Sequence, residues 1–338
     1  MLRFLCAAMA GAALIAFSCI GPVHAADQPE KAPAPAKPVD VPLFFVNDNR
    51  LTYAYEFTAT DPAVPGTTAK QVFAFTHFDA WQYGTNLINL TLLKSDHNDP
   101  ASPCPIFGTG CAGEVEFYGL IRSTFGWNEI FNTKAFTVGP LRNISFEVGV
   151  DGETANAFYA PNKRNIVAGL QFAVDLPYQG YVNVAPLYYK EWSHNAFASP
   201  AFSAPSPGIV DGNLDSPGTW ALEVNYFMDL GFLPAWLPLS VSGRAGWYGA
   251  RGTGTGSLVV PGFIPTRTEL NSEPIRLTLD ASKAFWGDKY SHLVDLWVAY
   301  RYWQNKYGLD HVNSSQCTGL RAGSCTESTL YSGITVKF

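Results

Sequence analysis

The sequence is short of charge and, beyond its first residues, has no long apolar run. Charged residues make up 15% of its 338 residues, against about 25% in ordinary soluble domains. A membrane-crossing helix needs roughly 18 consecutive apolar residues, and no segment after the N-terminal one offers them. Aromatic residues reach 14%. This combination favours a membrane β-barrel, in which alternate residues face lipid. A secreted β-sandwich is the alternative.

The N-terminus has the pattern of a secretory signal peptide. Arg3 precedes an apolar run from Leu5 to Ile20, and Val23-His24-Ala25 gives a cleavage pattern before Ala26. We therefore predict a signal peptide over 1–25, a Pro/Ala-rich periplasmic arm over 26–42 and a barrel over 43–338. Cleavage removes one positive charge, so the net charge moves from −6 to −7. This charge excludes a basic nucleic-acid binder.

Four cysteines remain after cleavage, as two pairs that are close in sequence: Cys104 with Cys111, and Cys317 with Cys325. In an oxidising periplasm these pairs predict two disulfides that close small loops. A metal site is the alternative, but the cysteines lie in no CxxC motif and beside no paired histidines.

From about residue 50 the chain shows short segments of alternating polarity, separated by Gly, Pro, Asn and Asp. One face is aromatic and aliphatic, while the other holds small residues and sparse charges of both signs. Lipid outside and a narrow wet lumen inside fit this better than a soluble sandwich does. We predict an all-β, antiparallel, up-and-down transmembrane barrel of about twelve strands, near residues 50–60, 70–82, 86–95, 113–124, 142–152, 165–176, 180–192, 218–229, 238–249, 272–284, 292–304 and 328–338.

The lengths of the connections predict the orientation. If the N-terminus is periplasmic, the odd-numbered connections face outward; most of them are long, and both cysteine pairs fall in them. Most even-numbered connections are short. The stretch 125–141 is long although it is even-numbered, and it hides either a helix or a misplaced strand. The last segment alternates up to a terminal Phe338, as in the assembly signal of outer-membrane barrels.

Four blocks of sequence resemble the nucleoside-specific channel-forming (Tsx-like) family, which includes OmpK-type phage receptors. Thr76 and Thr85 stand where the family pattern has Glu and Asp, and the family pattern has no outer disulfides. The resemblance spans about residues 43–338 and implies a twelve-stranded barrel that passes nucleosides by passive diffusion. The blocks are Phe75–Asn86, Glu116–Arg122, Phe136–Arg142 and Tyr300–Gly308.

A nucleoside filter needs aromatic faces for the base and polar groups for the ribose hydroxyls. The alternative role for such side chains is to fill the lumen with their own ion pairs. His77 and Asp79 have an ambiguous facing, because Phe73 and Phe75 share their parity. The predicted lumen residues are Glu56, His77, Asp79, Glu116, Tyr118, Arg122, Glu147, Arg276, Asp280, Asp295 and Arg301.

These patterns predict a barrel in the outer membrane of a Gram-negative bacterium, and the family resemblance implies that it is a passive channel for nucleosides or similar small hydrophilic solutes. The alternative is a barrel with a blocked lumen that serves surface recognition or envelope structure. No GxSxG or HExxH motif occurs, so we expect no enzyme activity, cofactor or metal. The expected partners are outer-membrane lipid, lipopolysaccharide, the outer-membrane assembly machinery and the solute, but no nucleic acid.

Overall fold

The computed structural model describes residues 42–104, 110–157, 162–194, 213–252 and 266–338. The predicted signal peptide and all of the predicted arm except Pro42 lie outside these residues. The strands are β1 (Phe44–Ala59), β2 (Thr68–Trp81), β3 (Gly84–Ser95), β4 (Val115–Gly126), β5 (Leu141–Ala155), β6 (Asn162–Leu176), β7 (Gly180–His194), β8 (Asn213–Asp215), β9 (Thr219–Asp229), β10 (Leu239–Tyr248), β11 (Glu269–Asp280), β12 (Val294–Gln304) and β13 (Thr326–Lys337).

Pairing between the strands closes the sheet into a barrel. Every pairing is antiparallel, each long strand pairs with its neighbours in sequence, and β1 pairs with β13. β8 has three residues and pairs with the end of β7, while β7 also pairs with β6 and β9. The result is a closed barrel of twelve long strands, as the sequence predicts. Among the described residues, closure leaves none of the twelve long strands at the edge of an open sheet.

In the described part of the chain, helical structure is confined to short pieces at the barrel ends. The helices are α1 (Trp127–Ile130) and α2 (Ala281–Trp286), and three 3₁₀ turns cover Asp288–Tyr290, Lys306–Gly308 and Gly319–Arg321. The long even-numbered connection after β4 thus contains α1, which is one of the two predicted explanations for it. Among the described residues, no helix has the length and apolar character to cross a membrane.

The outward face of the barrel is apolar. On β1, for example, Leu51, Tyr53, Tyr55 and Phe57 are exposed, whereas the alternating Ala54 and Glu56 are buried. Large exposed aromatic side chains also gather at the end formed by the even-numbered connections: Phe131, Phe232, Trp236, Phe285 and Trp286. An apolar outer band with aromatic residues at its rim is typical of a barrel in a lipid bilayer.

A β-bulge on β11 changes the alternation of this strand. Its pairing with β10 shifts between Ser242 and Arg244, and Pro274 lies at the shift. Proline donates no backbone hydrogen bond, so it is tolerated at such a bulge. The extra residue directs both Glu273 and Arg276 into the lumen, where Arg276 Nε donates to Glu273 Oε1 at 2.5 Å.

Candidate functional site

The candidate site is the lumen, and strand alternation places nine of the eleven predicted lumen residues there. Asp280 lies at the rim, where its carboxylate accepts hydrogen bonds from the backbone N–H of Lys283 at the start of α2 and from Ser282, Ser291 and His292. The nine lumen residues are Glu56, Glu116, Tyr118, Arg122, Glu147, Arg276, Asp280, Asp295 and Arg301.

Two predicted lumen residues, His77 and Asp79, face outward instead. The register aligns Asp48 with Phe78, Phe78 with Leu87, and Leu87 with Arg122, so this row faces the lumen. His77 and Asp79 flank Phe78 and therefore lie on the opposite face. Their prediction as lumen residues is wrong, because the register places them on the same face of β2 as the exposed Phe73.

On that outer face the two side chains belong to a polar row near the even-numbered connections. His77 Nδ1 lies 2.8 Å from Asn49 Oδ1, and His77 Nε2 lies 3.1 Å from Asp79 Oδ2. Asn86 donates to Asp79 at 2.8 Å, and Ser123 donates to Asn86 at 2.7 Å. The row hydrogen-bonds internally, so its polar groups are satisfied at the barrel surface.

Arg122 is the centre of an ion-pair cluster in the middle of the lumen. Its Nη2 lies 2.7 Å from Glu223 Oε1, its Nη1 contacts Asp151, and its Nε lies 3.9 Å from Glu147 Oε1. Gly149 on β5 pairs with Arg122 on β4. A Cβ atom on Gly149 would come within 2.6 Å of the Arg122 side chain. A glycine at this position therefore leaves room for the guanidinium.

A second cluster lies towards the end formed by the odd-numbered connections. Glu327 is 2% exposed. Arg301 Nε lies 2.6 Å from its Oε1, and Lys306 Nζ lies 2.6 Å from its Oε2. Glu56 Oε1 lies 3.7 Å from Arg301 Nε. Trp303 adds an aromatic face, with the Lys306 ammonium 4.5 Å from its ring centroid.

A third cluster at the same end joins β7, β11 and β12 to Arg251, which lies in the connection after β10. The Arg251 guanidinium contacts the Glu269 carboxylate, and Arg251 Nη1 lies 3.2 Å from Glu191 Oε2. Trp303 Nε1 donates to Glu269 Oε1 at 2.9 Å, and Tyr189 donates to Glu191 at 2.5 Å. These buried charges are paired, as buried charges must be to avoid a large desolvation cost.

The segment after β12 reaches into the mouth of the barrel at this end. Lys306 and Tyr307 are buried; Tyr307 donates to Glu153 on β5, and Lys306 donates to the Thr60 carbonyl. The segment is fastened by the Cys317–Cys325 disulfide and by a hydrogen bond of 3.0 Å from Ala63 N to Gln316 O. Chain from an odd-numbered connection thus covers part of the lumen.

Both predicted disulfides are present, Cys104–Cys111 and Cys317–Cys325. At the opposite end of the barrel the chain closes with Phe338, which follows β13 and is largely exposed. Its backbone N–H donates to Asn49 O at 3.0 Å, so the last residue is tied to β1.

An aromatic and cationic group lines the lumen on β11, β12 and β13. The Arg276 guanidinium carbon lies 3.9 Å from the Trp297 ring centroid. Tyr331 packs edge-on against Trp297, with 5.0 Å between the ring centroids. Such a group offers both a π face and hydrogen-bond donors.

Several charged residues that were not predicted from the sequence also face the lumen. Most of them lie at strand ends or in connections. The alternation of polarity that predicts which side chains face inward is found in the middle of the strands. The residues are Lys70, Glu153, Lys163, Glu191, Arg251, Glu269, Glu273, Lys306 and Glu327. A strand assignment extended by one residue would have recovered Glu153 and Glu327.

Comparisons with known proteins give distant barrels. No protein-family model matches the chain, and no curated protein matches it. Among solved structures, the translocator domain of the autotransporter NalP from Neisseria meningitidis is 10% identical, with a TM-score of 0.40 over 86% of this chain and 88% of that one. The β domain of the Bordetella autotransporter BrkA is 8% identical, with a TM-score of 0.36 over 86% and 99%.

OccK3 of Pseudomonas aeruginosa is 10% identical to this chain, with a TM-score of 0.23 over 88% of this chain and 96% of that one. All three scores are low, so the closed barrel is established by the strand pairing of this chain itself.

Proposed function

We propose that this chain is an outer-membrane barrel that acts as a narrow passive channel for small hydrophilic solutes, of the size and polarity of nucleosides. The observation that carries the proposal is the contrast between the two faces of the closed barrel. Aromatic and aliphatic side chains cover the outside, and ionisable and hydrogen-bonding side chains line the inside. Outer-membrane lipid and lipopolysaccharide would surround the barrel, and the assembly machinery would recognise β13 together with the Phe338 that follows it.

The side chains of the lumen suit a solute with an aromatic base and several hydroxyl groups. Trp297 and Tyr331 supply ring faces and edges beside the Arg276 guanidinium. The side-chain amides of Asn183 and Asn225 add further donors and acceptors. Asn183 Nδ2 donates to Asn225 Oδ1 at 3.0 Å. Several weak sites in series allow a solute both to enter and to leave. This proposal involves diffusion alone and assigns the lumen no catalytic step.

A second candidate function is surface recognition by a barrel whose lumen stays blocked. One observation favours it: Lys306 and Tyr307 occupy the mouth of the barrel and bind Glu327 and Glu153 there. The disulfide between Cys317 and Cys325 ties the same segment. In this case the covered outer end would serve as the binding surface, and no solute would cross.

Flux into proteoliposomes separates the two candidates. The purified barrel is reconstituted, and the entry of labelled adenosine and of the larger sucrose is followed against protein-free vesicles. The proposed channel predicts fast adenosine entry and slower sucrose entry. Equal rates for both solutes would contradict the selectivity. If neither solute enters, although a heat-modifiable gel shift shows a folded barrel, the channel proposal fails and surface recognition is supported.

A further inference from the structure

Four carboxylates meet at the end of the barrel where the odd-numbered connections lie. Asp61 follows β1, Asp99 and Glu114 lie between β3 and β4, and Glu116 is on β4. One oxygen from each of the four lies within 4.8 Å of the others. Three of these residues are buried, and Asp61 is nearly so. Three separate segments of chain therefore bring only oxygen donors to one point.

One ammonium group is too little to balance these charges. Lys70 Nζ lies 2.6 Å from Asp61 Oδ2 and also contacts Glu116. Among the described residues, no other basic side chain lies within ion-pair distance of the four carboxylates. If all four are ionised, one positive charge faces four negative ones in a site that excludes water. An uncompensated buried charge strongly destabilises the folded state.

Asp99 provides a second, independent observation. Its side chain is 0% exposed. Asp99 Oδ2 accepts a hydrogen bond of 2.9 Å from Ser95, but no N–H or hydroxyl group in the part of the chain that the structure describes donates to Asp99 Oδ1, and only a protonated Glu114 could do so. A buried acceptor without a donor is rare in folded proteins, and it indicates an unrecorded ligand such as an ion.

We propose that a divalent cation of the calcium type binds between Asp61, Asp99, Glu114 and Glu116. Calcium takes six to eight oxygen ligands in flexible geometry, and carboxylates are its usual protein donors. The donor set contains no nitrogen or sulfur atom, which disfavours zinc and other transition metals. With the ion bound, three positive charges would face four negative ones. The ion would also link the connection after β1 and the connection after β3 to each other and to β4.

The competing explanation is that protons, rather than a metal ion, neutralise the cluster. Burial and the neighbouring carboxylates raise the pKa of Asp99 to about 7, and they raise the pKa of Glu114 well above its usual range. These shifts describe the cluster without a cation, and they show that its full ionisation is costly. A cation would remove that cost near neutral pH, whereas protons would remove it only as the pH falls.

Calcium titration of the folded barrel tests the proposal. The full-length protein is treated with chelator and then titrated calorimetrically with CaCl₂ at neutral pH. We expect one site per chain and a rise in the temperature of unfolding, because a ligand that binds only the folded state stabilises it. Asp99→Asn is expected to weaken binding at least tenfold. Asp175→Asn removes an exposed carboxylate at the opposite end of the barrel and is expected to leave binding unchanged.

The proposal is overturned if the wild type binds no calcium, or if Asp99→Asn binds it as tightly as the wild type does. Glu114→Gln replaces Asp99→Asn if the latter fails to give the gel shift of a folded barrel. Absence of binding together with higher stability of Asp99→Asn would identify protons as the neutralising charge. The test makes no use of transport, so its outcome is independent of the proposed channel function.

Discussion

Arg122 on β4 and Glu223 on β9 form an ion pair, with 2.7 Å between Nη2 and Oε1, although the two strands are not neighbours in the barrel. The pair therefore lies across the lumen rather than along its wall. Asp151 and Glu147 on β5 share the same guanidinium. This arrangement narrows the passage at the middle of the barrel and also braces two of its walls.

Loss of Arg122 should destabilise the barrel strongly. Arg122→Met leaves several buried carboxylates without their counter-ion, and the expected loss is about 3–5 kcal/mol in the free energy of unfolding. Urea unfolding in detergent, followed by tryptophan fluorescence, measures it. Arg142→Met is the control: its partner Asp175 is half exposed, and the expected loss is about 0–1 kcal/mol. Equal losses for both variants would show that the lumen pair is not buried.

A charge on the outer face should disturb insertion into lipid. Leu277 is on the central part of β11 and faces outward. Leu277→Arg is expected to make folding into a bilayer less favourable by about 2–4 kcal/mol. Leu320→Arg, in an exposed turn of the connection after β12, should change it by less than about 0.5 kcal/mol. Similar values for both would mean that this face does not contact lipid.

The hydrogen bond from Tyr307 to Glu153 should hold the segment after β12 in the mouth of the barrel. Tyr307→Phe leaves buried Glu153 without its donor, which is expected to cost about 1–3 kcal/mol of unfolding free energy. Tyr290→Phe, at an exposed tyrosine near the other end, should cost less than about 0.5 kcal/mol. Urea unfolding compares the two variants. An unaffected Tyr307→Phe variant would indicate that the segment does not bind Glu153 in solution.

His292 should make stability depend on pH near neutrality. A hydrogen bond to Asp295 raises the pKa of His292 above 6.5, with help from Asp280 and against the charge of Arg50. Because the pKa is higher in the folded state, this stabilisation is complete below the unfolded pKa and is lost as the pH rises through the folded value. His292→Asn suits the positive φ of 58° at this position.

The temperature of unfolding of wild type and His292→Asn, measured at a series of pH values from acidic to alkaline, checks this prediction. The wild type should be the more stable of the two at acidic pH, and the difference should shrink as the pH rises. A difference that grows with pH would show that the sign of the shift is wrong.

The strands were predictable because each one carries its own local signal. Alternation along β1 or β12 needs only a period of two, so the strand number and most facings follow from the sequence. The parity of His77 was ambiguous because polar residues follow Phe73 and Phe75 on the same face. The facing of His77 follows only from the register of β2 with β1 and β3, and this register depends on contacts with residues outside β2.

The partners of the lumen charges were not predictable. Arg122 and Glu223 are 101 residues apart in sequence, and nothing local distinguishes Glu223 from other inward carboxylates. The bulge at Pro274 brings Glu273 to the same face as Arg276, against simple alternation. Insertion of Lys306 and Tyr307 into the mouth depends on tertiary contacts made by a long connection, for which periodicity carries no information.

Conductance in a planar lipid bilayer tests the central claim most directly. The purified, folded protein is added on one side under a transmembrane voltage, and current is recorded before and after addition of adenosine. The account predicts discrete conductance steps that adenosine reduces. A barrel that gives the heat-modifiable gel shift but no conductance steps at any voltage would contradict the channel function.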